Sequence, residues 1–216
     1  MTAEYVGSEL EQHKFPYRLL RERETRHPLN VGGDLHPSGR TTGARMFATY
    51  TVGSFVEESL TRWKAFVTEA MHTARVNILD SYPFQNSVRI LLQMDADPGT
   101  LAAYQASVEK AAAGLDPVLI YLDPGDAERA LAAIAEQRGR AWTDYAIAAV
   151  TECPYASSRG LQGMDGAINI LKNYKRLLDE SVARFRSPRL VLPGCHRSWP
   201  DCHTRIREFL RVESRR

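Results

Sequence analysis

Four short apolar runs divide the chain, with helical patterns between them. RVNILDS at residues 75–81 and PVLIYLD at 117–123 share one design, a continuous apolar stretch closed by an aspartate. That is how a strand buried on both faces reads, since both of its side-chain rows must be apolar. PRLVLPG at 188–194 is a third such run and FPYRLLRE at 15–22 a weaker fourth. In SFVEESLTRWKAFVTEAMHTA, Phe55, Leu60, Trp63, Phe66, Val67 and Ala70 recur at helical spacing with Glu and Lys on the opposite side. The same spacing predicts helices at SVRILLQM, at PGTLAAYQASVEKAAAGL after Asp97, at GDAERALAAIAEQR, at AWTDYAIAAVTE and at GAINILKNYKRLLDESVARF. Strands alternating with helices predict an α/β fold, a parallel sheet sandwiched by helices, within one domain over residues 1–216.

Composition agrees with a single core. The chain has 216 residues, 44% of them hydrophobic, which suits one domain of ordinary make-up. Its net charge of +2 comes from 28 basic and 26 acidic residues scattered along the chain, a pattern that favours neither nucleic acid nor a membrane surface. No apolar run approaches the roughly 20 residues that span a bilayer, and EYVGSELEQHK lacks the apolar centre of a signal peptide, so a cytoplasmic location is expected. Three cysteines do not make a disulfide framework, and an odd number leaves a thiol over in any case. In GCHRSWPDCH, Cys195 and Cys202 are each followed by histidine. Two readings stand: a metal site with unusually wide spacing, or a plain loop in which Ser198 caps a terminal helix and Pro200 falls in its first turn.

GGDLHPSGRTTGARM, residues 32–46, has the glycines of a phosphate loop but not the spacing. A phosphate loop needs G, four residues, then GK[ST]. Here five residues separate Gly33 from Gly39, Arg40 stands in the place of lysine, and Pro37 removes a backbone donor. The segment reads as a polar connection ahead of a helix. Chemistry is better sought at the strand ends, because ligands of open parallel sheets bind at the carboxyl edge. Asp80 and Asp123 both sit there, and each could hold magnesium, accept a proton or simply cap the next helix. A turn or cap role is expected for Asp123, which Pro124 and Gly125 follow.

The succession ILDSYPFQNSVRIL, then DPVLIYLDPGDAERALAAIAEQRGRAW, then a late helix and PRLVLPG, resembles the P-loop nucleoside and nucleotide kinases of the thymidylate kinase type. HPL, GDLHPSG, EES with RWKAF, and VLIYLD fit the same likeness. The resemblance implies ATP and magnesium as cofactors and a small hydroxylated acceptor, such as a nucleoside or nucleotide. By it Asp80 would orient magnesium or take the acceptor proton, and Arg138 and Arg140, in a lid over about residues 137–162, would neutralise the moving phosphoryl group. Tyr82, Gln85 and Arg89 would hold the acceptor, with His36 and Glu58 also on the substrate side. The chain departs from the family's Asp-Arg pair at Ser81, where Arg89 could substitute.

The family also places its phosphate loop between a first, central strand and the first helix. MTAEYVGSELEQHKFPYRLL resembles that first helix and the second strand, with Thr2 and Ala3 just after the GK[ST] position. The expectation is therefore a P-loop-kinase-like sheet whose central strand and phosphate loop are missing from this chain. The rival reading is a noncatalytic binding protein whose open sheet centre is filled by a partner or by a second copy of the chain.

Overall fold

The structure, a computed structural model, describes residues 2–22, 24, 27–32, 40–195 and 198–213. Each expected apolar run forms a strand, and the strands are parallel. β1 (Tyr17–Leu20) pairs with β2 (Val76–Leu79), Leu20 lying opposite Leu79; β3 (Leu119–Asp123) pairs with β4 (Arg189–Pro193), Asp123 lying opposite Pro193. Among the described residues the two pairs are separate two-stranded sheets with no strand pairing between them. Where one sheet was expected, two stand.

Helices carry most of the described residues. α1 (Thr2–Gln12) precedes β1, while α2 (Arg40–Thr49) and α3 (Val52–Met71) separate β1 from β2. α4 (Gln85–Gln93) and α5 (Pro98–Ala112) lead to β3, and α6 (Ala127–Arg138), α7 (Arg140–Thr151), the single turn α8 (Pro154–Ser157) and α9 (Gly163–Arg184) lead to β4. α10 (Trp199–Glu213) ends the described chain. Local chemistry sets the boundaries. Thr51 and Ser54 form a reciprocal capping box on α3, while Asp97 accepts the Thr100 N–H at the head of α5 and Asp126 the Arg129 N–H at the head of α6. α6 and α7 are divided by Gly139 at φ +79°, a left-handed conformation that glycine takes without steric cost.

One large core lies on one face of the strands. Phe55, Trp63 and Phe66 of α3 meet Val88 and Leu91 of α4, Leu101 and Tyr104 of α5, and Leu177 and Leu178 of α9, with Leu20, Leu79, Leu119 and Tyr121 from the strands. Removing the Trp63 side chain would cost about 3–5 kcal/mol, the usual penalty for emptying a buried aromatic site. Tyr104 is wholly buried, and its hydroxyl bridges Ser59 (2.7 Å) and Ser87 (3.0 Å), so its polar end goes satisfied. A smaller core covers the opposite face, joining Val6 of α1, Leu192 of β4, and Cys202 and Ile206 of α10, with Ile78, Ile120 and Leu190 packed against it. α1 lies close on β1 because Gly7 has no side chain; a Cβ there would stand 2.8 Å from the Tyr17 ring.

Cys195 and Cys202 form a disulfide, with Cα atoms 5.8 Å apart, and Cys153 is free and buried. A disulfide takes the place of the expected metal site, while the terminal helix expected after the loop does form, with Pro200 in its first turn. With Cys202 on the first turns of α10 and Cys195 just past β4, the seven-residue spacing folds back far enough for the two sulfurs to meet.

Candidate functional site

The carboxyl edge of the β1–β2 pair collects acids. Asp80 follows the last residue of β2 and donates its N–H to the Leu20 carbonyl at 3.0 Å. The next residue, Ser81, has φ +70°, which turns the chain sharply away from the strand, and its hydroxyl donates to Glu22 at 3.2 Å. Glu4, in the first turn of α1, faces the same edge and accepts from Arg21 at 3.2 Å. The Asp80 carboxyl opens to solvent on one side and is crowded on the other. That crowding, and the negative charges of Glu22 and Glu4, raise its pKa above the ordinary aspartate value. Among the described residues no three histidine, cysteine, aspartate or glutamate side chains are grouped to hold a metal ion. A magnesium ion at this edge would have one carboxylate from Asp80 and would need phosphate oxygens and water for the rest, the usual arrangement for magnesium bound with a nucleotide.

Beyond the turn, Tyr82 enters a pocket of mixed lining set into the large core, where Leu29, Val31, Met46, Phe55 and Ile90 stand beside the polar groups. Its ring stacks on His27 with centroids 4.6 Å apart, and its hydroxyl donates to Asn30 Oδ1 at 2.5 Å. Burial raises its pKa well above that of a free phenol, so it stays a neutral donor. The first turns of α4 supply Asn86, which is 1% exposed. Arg89 donates to Asn86 Oδ1 at 3.2 Å, which fixes the amide with its NH2 turned inward. That NH2 faces the Tyr82 oxygen, which can accept from it while giving its own proton to Asn30. A small cavity, with room for about one water molecule, adjoins Asn86, Tyr82, Asn30, Ser59 and Ser87. Gln93 completes the row on α4 by donating to the Ala149 carbonyl of α7 at 3.1 Å.

The other expected site residues have different surroundings. Gln85 is exposed, and its backbone carbonyl accepts from the Tyr174 hydroxyl at 2.8 Å; its neighbour Asn86 is the residue that adjoins the cavity. Glu58 is committed within the protein: one oxygen accepts from the Gly32 N–H (3.2 Å) and from Arg62 (2.8 Å), and the other from the Tyr50 hydroxyl (2.8 Å). Although burial works the other way, these donors hold its pKa below the ordinary glutamate value. Glu58 thus anchors the end of the loop that carries His27 and Asn30. Arg138 rests over the Trp142 ring at 5.5 Å, and Arg140 reaches into solvent, 3.7 Å from Asp144. Neither is paired with Asp80. His36 lies outside the described residues.

Asp123 has the turn role expected of it, with an addition. Its carboxylate accepts the Gly125 N–H at 2.8 Å and pairs with Lys175 of α9 at 3.0 Å. Burial opposes its ionisation, yet the Gly125 N–H and the Lys175 ammonium outweigh it and hold the pKa below the ordinary value. His27, Asn30, Asn86 and Gln93 were not picked out from the sequence. The one available signal was Asn86 and Gln93 falling on the same helix face as Arg89, three and four residues away.

No family model, curated protein or solved structure matches this chain. No helix among the described residues is long and apolar enough to cross a membrane.

Proposed function

We propose that this chain belongs to the P-loop-kinase-like phosphotransferases and that its acceptor is a small hydroxylated molecule of the nucleoside or nucleotide class. The observation that carries the reading is the adjacency of two features along ten residues. An acid of raised pKa at the carboxyl end of a parallel strand, Asp80, is followed at once by the polar groups of Tyr82, Asn86 and Arg89, beside a cavity that holds about one water molecule and would have to widen to take an acceptor. A carboxylate whose pKa lies above its usual value is the better proton acceptor near neutral pH, and Asp80 lies two residues ahead of Tyr82 along the chain. Arg89 brings a fixed positive charge that a phosphate or a base carbonyl would meet. ATP with magnesium would supply the phosphoryl group, its charge met by Arg138 and Arg140 on a lid that closes about Gly139.

Calorimetric titration with a panel of nucleosides and nucleoside monophosphates tests the acceptor side. At least one member should bind, and Arg89→Ala should weaken it tenfold or more, about 1.4 kcal/mol. No binding by any member at millimolar concentration overturns the acceptor assignment. Transfer is read separately, with labelled ATP and magnesium, and Asp80→Asn should lower any turnover by about a hundredfold while leaving acceptor binding intact. Acceptor binding without transfer under any condition would instead identify a noncatalytic binding protein.

A further inference from the structure

The small core contains a covalent bond that the large core does not have. Five residues of that layer are buried, and Cys195 and Cys202 are two of them, each 5% exposed. α10 depends on the bond heavily: of its residues from Trp199 to Leu210, only Cys202 and Ile206 are buried. Its other ties run to α1 and are largely polar. Tyr5 stacks on His203 and donates to its carbonyl at 3.3 Å, and Arg207 reaches the Tyr5 hydroxyl at 2.8 Å and Glu9 at 3.2 Å. Polar ties at the surface are individually weak, since water and salt compete for them.

The position of the bond suits a latch better than a staple. A disulfide stabilises most when it closes a long loop, and this one joins residues only seven apart, just past β4 and on the first turns of the helix that follows. What it fixes is the place where α10 begins. Breaking it also crowds the site. Two thiols in contact need more room than two bonded sulfurs, and a close-packed interior resists added volume, so reduction pushes the head of α10 away from β4. The surroundings are open to a reductant, because Pro193, Pro200 and Asp201 next to the cysteines are exposed. Cys153, the third cysteine of the chain, belongs to the large core and offers no competing partner.

We propose that the Cys195–Cys202 bond is a redox latch on the α1–α10 layer, closed as the disulfide and opened by a dithiol reductant. A thiolate of the reductant attacks one bridge sulfur, the S–S bond breaks to give a mixed disulfide, and the reductant's second thiol displaces the protein sulfur. Two electrons and two protons pass to the protein, which is left with two cysteine thiols, and the reductant departs as its own disulfide. With the latch open, α10 is held by Ile206 and by the polar ties to α1, and its lifting uncovers Leu192 together with Ile78, Ile120 and Leu190. α1 at the same time loses the partners of Tyr5 and Glu9. It is also the helix whose Glu4 faces Asp80, so the state of the latch is felt at the candidate site. That last consequence rests on the proposed function; the latch does not, and its test is read at the helices themselves.

Hydrogen exchange resolved by residue provides the test, on the 216-residue chain kept oxidised or reduced with dithiothreitol. Alkylation and mass spectrometry check the two states, which differ by the two thiols of the bridge. Reduction should speed exchange along α10 and α1 by about tenfold or more, leave α3, α4 and α5 unchanged, and be reversed by oxidised glutathione. A variant carrying Cys195→Ala and Cys202→Ala is the control, and dithiothreitol should have no effect on it. Exchange in α1 and α10 that does not change on reduction overturns the latch, as does a bond that dithiothreitol cannot reduce in the folded chain. Exchange speeded equally in α3, α4 and α5 makes the bond a staple of the whole fold and overturns it too. A response to dithiothreitol in the alanine variant removes the bond as its cause.

Discussion

Two strands of this molecule end in the same dipeptide, Leu-Asp, and the two aspartates have opposite fates. Asp123 is enclosed by donors: the Gly125 N–H takes one oxygen, and Lys175 reaches across from α9 to weld the end of β3 to the helix above it. Asp80 has other acids for company, Glu22 and Glu4, and the chain leaves it through a left-handed serine. One carboxylate is held below its ordinary pKa and stabilises the fold; the other is pushed above it and costs stability. A group that folding makes harder to ionise is a candidate for chemistry. The lesson of the pair is that a strand-end motif does not fix the role of its acid. The helix that packs against the strand end does.

The contrast can be broken at Lys175, where the largest effect is expected. Lys175 pairs with both Asp123 and Asp179 and is 17% exposed. Lys175→Met keeps its stem but leaves two carboxylates facing each other, and should lower stability to urea by about 2 kcal/mol. A loss within measurement error would show that Asp123 is no more anchored than Asp80.

A middling effect is expected at Asp123 itself. Its folded pKa is depressed, so its contribution is present above the unfolded value of 3.8 and is lost as pH falls through the lower, folded one. Asp123→Asn should therefore cost about 1 kcal/mol at pH 7, and the gap to the parent should close in acid below that range. A gap that is constant with pH would mean that packing, and not the charge, is what the residue supplies.

The smallest effect, of opposite sign, belongs to Asp80. Its folded pKa is raised, so ionisation costs stability at neutral pH, and the cost is relieved as pH falls through the folded value toward 3.8. Solvent on its open side screens the effect, and Asp80→Asn should stabilise by no more than about 0.5 kcal/mol at pH 7 and by nothing at pH 3. Destabilisation by 1 kcal/mol or more would make Asp80 a structural cap and remove the contrast.

Much of this architecture was legible from local pattern. The four apolar runs became four parallel strands, although only Leu20 and Leu192 among their residues are buried, and the α3 positions from Phe55 to Ala70 became its buried face apart from the half-buried Leu60, because apolar runs and helical periodicity leave marks in single windows of sequence. The turn role of Asp123 followed from Pro124 and Gly125 in the same way. α2 was missed, since its sequence RTTGARMFAT has low helix-forming content and reads as loop. The Cys195–Cys202 pairing was missed because spacing along a chain does not reveal which way a helix turns its first residues. The pocket was half seen: Tyr82 and Arg89 stood out as chemically distinctive, whereas His27, Asn30 and Asn86 become neighbours only when the loop after β1 folds onto α4. Glu58 was legible as an unusual acid but not as an anchor, because its partners Gly32 and Tyr50 lie in other elements.

The small core of α1 and α10 has a consequence for the timing of folding. It is built from the first helix and the last: Tyr5 stacks on His203 at 3.7 Å, and Arg207 bonds both Glu9 and Tyr5, partners 198 and 202 positions apart. Closing so long a loop is entropically costly and slow, and contacts of this kind form late. During synthesis, α1 leaves the ribosome almost a whole chain length ahead of the helix that covers it. Through that interval Val6 and Leu10 can pack on Ile78 of the early strands, but the side of α1 that meets α10 stays uncovered until the last helix arrives.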